Sequence, residues 1–325
     1  MNPRMPKNVV AITPGGEITM DHIMGFYALF TVPDAPVSAS KLSRLWISEG
    51  LPPDLIPRSR AAKNVFQQAC RSIETRSRST DTTTRKRQEI EVDPVTESAK
   101  RVVYQVTSLR RDEANEVIDH PKAMRVAFEK EDEKIVCEPL DKNTGLDDED
   151  LKTLAERIES YFDRNAKKVP GPRVRSGVRA LMKEIGATNV RKKAGGVYFV
   201  PKDGKSYLDG LGNVLEGLWE EEAELHLIFA ANADGERELV ERHYTVNVSD
   251  EVDELMAEVT DALNTEGRKM RKDRVGNILA NRKKLGDERE KYAALLGTSL
   301  EEVSVKLDLL DQQLEALVIE SNSDE

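Results

Sequence analysis

The sequence predicts an α+β protein with three parts: an antiparallel-sheet N-terminal domain, a small winged-helix-like middle domain and a C-terminal helical hairpin or coiled coil. Three observations predict it. Segments of alternating apolar residues lie between 88 and 140, a basic helix and a Gly-Gly hairpin lie between 172 and 201, and a heptad repeat follows residue 298. The corresponding domains are residues 1–142, 143–248 and 249–325.

The composition agrees with several small domains rather than one large core. The chain has 325 residues, which suits about two domains at roughly 150 residues each. Hydrophobic residues make up 38% and charged residues 33%, and the charged share exceeds the usual value of about 25%. This balance favours small domains joined to long, exposed helices.

The N-terminal domain is predicted from strands and two helices. The segments QEIEVD and RVVYQVTSLRR have the residues of strands, and AMRVAFEKEDEKIVCEPL is typical of a hairpin. Helices are predicted from Ser38 to Ile47 and from Ser59 to Arg76, because their apolar residues recur at helical spacing. The residues 76–88 between them and the strands are basic and rich in Ser and Thr, so we expect a mobile basic loop.

The middle domain resembles a winged helix in its order of elements. A helix over 147–166 is followed by a basic helix over 172–185 and a β-hairpin over 188–200. Gly195 and Gly196 supply the turn, which needs positive φ. The basic residues of this helix and turn are the candidate nucleic-acid-binding residues: Arg173, Arg175, Arg179, Lys183, Arg191, Lys192 and Lys193.

Charge is segregated along the chain, although the net charge is −10. Residues 164–193 hold ten Lys or Arg and one acid, residues 58–87 hold nine and two, and residues 266–284 hold eight and two. Such positive segments neutralise phosphates without reading base sequence. The alternative is that they pair with acidic surfaces of this chain or of a partner protein, since charge runs are often internal or solvated faces.

The C-terminal domain has the most regular pattern. Apolar residues open a long helix near 252, Gly297 ends it, and a second helix repeats apolar residues in steps of three and four. The two helices either fold back as a hairpin or pair between chains. The candidate oligomerisation residues are Leu300, Val303, Leu307, Leu310, Leu314 and Leu317.

Catalytic and metal motifs are missing from the sequence. It contains no P-loop and no G-x-S-x-G, and no histidine lies three or four residues from another histidine or a cysteine. Cys70 and Cys137 are interpreted as free thiols. No apolar run is long enough for a membrane span. We therefore expect a cytoplasmic protein without a metal or cofactor. An enzyme whose catalytic residues are dispersed along the sequence ranks third among the functional hypotheses, after the two given below.

One motif carries a family resemblance. The stretch GGVYFVP, residues 195–201, and more weakly LWISEGLPPDLIPRSRAAKNVFQQAC, are similar to an uncharacterised family of actinobacterial, archaeal and phage proteins. The resemblance implies a phage or mobile-element context and no established activity. The leading hypothesis is a non-enzymatic, nucleic-acid-associated or scaffold protein that binds DNA or RNA backbone and oligomerises or recruits a coiled-coil partner through its C-terminal helices. The alternative is a protein–protein assembly or host-interaction module without nucleic acid.

Overall fold

A computed structural model describes residues 9–10, 22–74, 88–111, 117–140, 146–190, 196–264 and 272–322. The chain forms two compact units from interleaved segments. The first unit contains Met1–Pro33, Arg44–Ile56 and Arg175–Glu325, and the second contains Asp34–Ser43 and Pro57–Val174. The division into residues 1–142, 143–248 and 249–325 stays a prediction from the sequence.

The elements follow the sequence pattern closely. The strands of the described chain are β1 (Val9–Val10), β2 (Ile23–Thr31), β3 (Val37–Ser38), β4 (Gln88–Glu97), β5 (Arg101–Arg111), β6 (Val117–Asp119), β7 (Lys122–Glu129), β8 (Lys134–Pro139), β9 (Lys168–Val169), β10 (Thr188–Asn189), β11 (Val197–Pro201) and β12 (Glu224–Ala231). The α-helices are α1 (Ala39–Ser48), α2 (Ala62–Arg71), α3 (Asp148–Ala166), α4 (Gly171–Glu184), α5 (Lys205–Trp219), α6 (Asp234–Asn264), α7 (Lys272–Leu296) and α8 (Glu301–Asn322).

The first unit is built on a sheet in the order β1-β12-β2-β11-β10. β2 lies at its centre, antiparallel to both β11 and β12, and β1 is parallel to β12. In β11, Phe199 and Val200 point to opposite faces and both are fully buried. The sheet is therefore covered on both faces at this strand.

The helices α6, α7 and α8 form a bundle in the first unit. Lys306 of α8 forms an ion pair with Asp253 of α6 at 2.7 Å, and Thr298, just before α8, hydrogen-bonds to Glu241 at 3.1 Å, so α8 runs parallel to α6. Arg282 of α7 donates two hydrogen bonds to the carboxylate of Asp311 at 2.6 and 2.5 Å. The bundle buries a continuous apolar core that includes Phe199 of the sheet.

The second unit packs two helices against an antiparallel sheet in the order β4-β5-β7-β8, with β6 paired to β5. Its core unites the apolar stripe of α2 with that of α3, and Phe66 stacks on Phe128 with ring centroids 5.3 Å apart. Asp147 and Asp150 form a capping box at the start of α3. The predicted strands and the hairpin of β7 and β8 are confirmed, whereas helix α2 is shorter than predicted. The predicted basic loop at 76–88 lies outside the described residues, apart from Gln88, which begins β4.

Two finer predictions of fold are not confirmed. The described structure does not isolate a winged helix, because α3 belongs to the second unit and β10 and β11 extend the five-stranded sheet of the first. The predicted long helix begins at Asp234 rather than near 252. The coarser α+β class, with antiparallel sheets and C-terminal helices, is confirmed.

Candidate nucleic-acid interface

The two lysine-to-glutamate contacts of helix α4 lie inside the first unit. Lys183 Nζ lies 2.8 Å from Glu251 Oε2 of α6, and Glu184 Oε2 lies 2.8 Å from Lys284 Nζ of α7. All four side chains keep a third or more of their surface exposed, so each pair contributes little stability, on the order of 1 kcal/mol or less. The pairs nevertheless engage one of the predicted phosphate-binding residues, Lys183, with the chain's own acids.

Two of the candidate nucleic-acid-binding arginines of α4 donate to backbone carbonyl groups. Arg173 Nη1 donates to the carbonyl oxygens of Arg58 at 3.1 Å and Ser59 at 2.8 Å, all within the second unit. Arg175, in the first unit, donates from Nη2 to the carbonyl oxygen of Val32 at 2.9 Å. A guanidinium has five N–H groups in a planar fork, so the exposed Arg173 retains further donors.

The remaining predicted residues of the interface divide into two groups. Arg179 is exposed, and among the residues that the structure describes it has no hydrogen-bond or ion-pair partner. Arg191, Lys192 and Lys193 lie outside the described residues. The stripe of residues 175, 179 and 183 thus presents one exposed arginine between a half-buried arginine and an ion-paired lysine.

A second group of basic residues gathers in the second unit; it contains the predicted Arg173, and its other members are not among the predicted binding residues. β3 pairs with β9, and the N–H of Ala39 donates to the carbonyl oxygen of Lys167 at 3.0 Å. This places the start of α1, with Lys41, beside Lys167, and the chain continues from there to Arg173 and its contact with Arg58. We name Lys41, Arg58, Lys167 and Arg173 the basic junction; all four are exposed.

Five of the six candidate oligomerisation residues are buried within a single chain. Leu300, Val303, Leu307, Leu310 and Leu314 all belong to the core of the bundle, and the side chain of Leu317 is outside the described set. The heptad seam therefore contributes to the chain's own core. Its use between chains stays a prediction.

A cavity of about 530 Å³ opens in the first unit between α7, the turn after α4 and the end of β11. Tyr292 lines it, stacks on Tyr244 with ring centroids 3.9 Å apart and donates from its hydroxyl to the carbonyl oxygen of Gly186 at 2.7 Å. Glu288 also lines it, and burial raises the pKa of this carboxyl group, with the charges of Lys284 and Lys183 acting in the opposite direction. The lining carries both lysines and acids, so its charges do not define a ligand.

We expect Glu288→Gln to raise the free energy of unfolding at neutral pH. The pKa of Glu288 is higher in the folded than in the unfolded protein, so folding favours its protonated form and loses stability as the pH rises through that folded pKa. The neutral amide removes this loss. The gain should shrink below the ordinary glutamate pKa of 4.5, which urea titrations at a series of pH values would measure. A gain in the free energy of unfolding that persists unchanged at low pH would contradict a raised pKa for Glu288.

The described residues were searched for metal ligands, reactive thiols and membrane-spanning helices. No three His, Cys, Asp or Glu side chains among them are placed to hold a metal ion. Burial raises the pKa of the Cys137 thiol to about 11 and that of Cys70 further, which keeps both thiols protonated and weakly nucleophilic. None of the described helices combines the length and the apolar character that crossing a bilayer demands.

Comparison with known proteins gives one match. The model of a family described as a family of unknown function, DUF6744, matches residues 23–323, which covers both units. Neither the curated proteins nor the solved structures contain a match to the chain.

Proposed function

We propose, for a chain that belongs to the DUF6744 family of unknown function, a non-enzymatic role in which the basic junction binds the phosphate backbone of a nucleic acid. The proposal also includes a role for the C-terminal helices, which oligomerise or recruit a partner protein. The observation that carries it is the contact of Arg173 with Arg58 and Ser59, because it joins two of the three basic segments of the sequence. A phage or mobile-element setting, which the sequence resemblance implies, belongs to this proposal as well.

The local charge supports phosphate binding at the junction. Residues 164–173 contain four basic residues and no acid, and residues 57–63 contain three and no acid. Exposed lysines and arginines in such an arrangement release condensed counterions from a nucleic acid, which supplies affinity without base specificity. Arg173 is also oriented by its two carbonyl contacts, so less side-chain freedom is lost when it meets a phosphate.

We expect the double substitution Arg58→Glu with Lys167→Glu to weaken binding of a labelled duplex at least about tenfold. Each reversal removes a positive charge from the junction and adds repulsion, and the slope of log affinity against log salt should fall by about one for each phosphate that is no longer neutralised. Fluorescence anisotropy with DNA and RNA duplexes between roughly 50 and 200 mM salt would measure both quantities. Arg173 is left unchanged, because its hydrogen bonds to the carbonyl oxygens of Arg58 and Ser59 hold the segment that precedes α2.

The matched control is Lys122→Glu with Lys152→Glu, which makes the same change in net charge on exposed positions of β7 and α3 in the same unit. This control should bind the duplex nearly as the unmodified protein does. Equal weakening by both double substitutions would show that net charge alone governs binding. Absence of binding by the unmodified protein at low salt would exclude the nucleic-acid role.

A second candidate function is protein–protein assembly without nucleic acid. The ion pairs of Lys183 with Glu251 and of Lys284 with Glu184 favour it, because they show how basic segments of this chain meet acidic ones. In that case the basic junction faces an acidic partner protein. The duplex titration separates the two candidates, since an assembly module has no salt-dependent affinity for DNA or RNA.

A further inference from the structure

Helix α8 carries two apolar stripes on opposite sides. The stripe at 303, 307, 310 and 314 enters the core of the bundle. Val305 and Leu309 lie one turn apart on the other side and are 59% and 45% exposed, and Ala316 continues their line. A helix that served only the core of its own chain would have polar residues on this side.

The exposed charged side chains that α8 itself carries have one sign. Glu301, Glu302, Asp308 and Glu315 are exposed. The single basic residue of α8, Lys306, is half-buried and paired with Asp253 of α6. The outer face of α8, defined by Val305, Leu309, Gln312 and Ala316, therefore carries apolar side chains at three of its four positions and is bordered by carboxylates of the same helix.

This charge pattern selects among the possible occupants of the outer face. Two α8 helices from separate copies would bring four exposed acids against the same four, and like charges at close range oppose association. An occupant with lysines and arginines beside an apolar stripe meets carboxylates instead. Attraction then adds to the burial of Val305 and Leu309.

We propose that the outer face of α8 docks a helix of a partner protein whose apolar stripe is flanked by Lys and Arg. The line from Val305 to Ala316 spans roughly 16 Å at 1.5 Å per residue. That length accepts about three turns of a partner helix, whose anchors would recur at three- and four-residue spacing. The inference specifies the partner class for the recruiting role proposed above, rests on that role, and does not depend on nucleic-acid binding.

A synthetic helical peptide of Leu and Lys, with its leucines on one face, is the probe. The full-length protein should bind it, and Val305→Glu with Leu309→Glu should weaken that binding at least about tenfold. The direction of the change is informative, because the added carboxylates increase the attraction for lysines while the apolar anchors are removed. Isothermal titration at moderate salt would measure the affinity.

Two controls complete the design. Asn277→Glu with Ala280→Glu adds the same charge to exposed positions of α7 and should leave peptide binding nearly unchanged. A peptide of the same composition, with its leucines scattered around the helix, should bind the unmodified protein at least about tenfold more weakly. Equal or tighter binding of the patterned peptide by the Val305→Glu, Leu309→Glu variant would overturn the proposal, since charge alone would then explain it.

The oligomeric state provides a separate test. Sedimentation analysis should show that Val305→Glu with Leu309→Glu does not change the mass of the protein. A dimer that dissociates on this substitution would instead identify a second copy as the occupant. Duplex binding by the variant should equal that of the unmodified protein, so failure of the docking proposal and failure of the nucleic-acid proposal give different results.

Discussion

Gly25→Ala is expected to destabilise the first unit by about 3 kcal/mol, the upper part of the usual range for overpacking. Gly25 lies in the central strand β2, opposite Pro201 of β11 and Ala230 of β12. A Cβ atom there would lie 2.3 Å from the carbonyl oxygen of Val200 and 2.7 Å from the ring of Phe199. The carbonyl belongs to the backbone of a buried strand and cannot rotate away, so the strands must separate.

The chain offers a local reporter and a matched control for this change. Both tryptophans, Trp46 and Trp219, are buried in the first unit, so tryptophan fluorescence during urea denaturation follows that unit. Gly276→Ala makes the same chemical change on α7, where a Cβ meets nothing within 4 Å, and should stabilise by up to about 1 kcal/mol. Equal denaturation midpoints for the two variants would refute the packing described at β2.

Tyr292→Ala is expected to cost about 3 to 5 kcal/mol, as other large-to-small changes of buried aromatic residues do. Tyr292 is 2% exposed, stacks on Tyr244 of α6 and lies 6.3 Å from Phe199 between ring centroids. Its hydroxyl holds the carbonyl oxygen of Gly186, the residue with φ of +71° that follows α4. The side chain thereby joins α7 to α6, to the sheet and to the end of α4.

Two milder variants separate the contributions of the ring and the hydroxyl group. Tyr292→Phe keeps the stack and loses the hydrogen bond, so we expect a loss of about 1 kcal/mol. Tyr207→Ala removes a tyrosine that is 37% exposed on α5 and should change stability by no more than about 0.5 kcal/mol. Urea midpoints read by tryptophan fluorescence would rank the three variants. A cost for Tyr292→Ala as small as that of Tyr207→Ala would contradict the packing.

Local elements were predictable from sequence because their patterns are local. The alternation of Val126 and Phe128 marked the hairpin, and the spacing of Leu151, Leu154 and Ile158 marked the face of α3 that is buried in the second unit. Periodicity reports which side of an element is buried. It carries no information about the element that covers that side, so it could not show that α3 shares a core with α2.

Long-range pairing was the part that the sequence left open. β2 pairs with β11 and β12, about 170 and 200 residues later in the chain, and its apolar run from Met24 to Val32 is by itself compatible with a short strand or a helix turn. Likewise, Leu307 and Leu310 satisfy the same spacing whether the facing helix belongs to this chain or to another. The structure places them in the core of their own bundle.

The positive charge of the candidate site could be predicted from the sequence, whereas the contacts among its residues could not. A count of basic residues identified residues 164–193, but it could not show that Lys183 meets Glu251, 68 residues away, or that Arg173 reaches Arg58. The contribution of Arg58 and Lys167 had a signal in the sequence, since both lie in basic segments. What was missing was the pairing of β3 with β9, strands of two residues each that propensity cannot detect.

The interleaving of the two units imposes an order on synthesis. As the chain leaves the ribosome, β2 emerges early, but its partner strands β11 and β12 follow only after the second unit has been translated. The second unit can assemble during that interval, because Pro57–Val174 contains both the sheet and the helices that form its core. The β2 segment meanwhile lacks both of its partner strands, and an apolar segment without its partners promotes aggregation. A nascent chain stalled before residue 197 is thus a natural client for a chaperone.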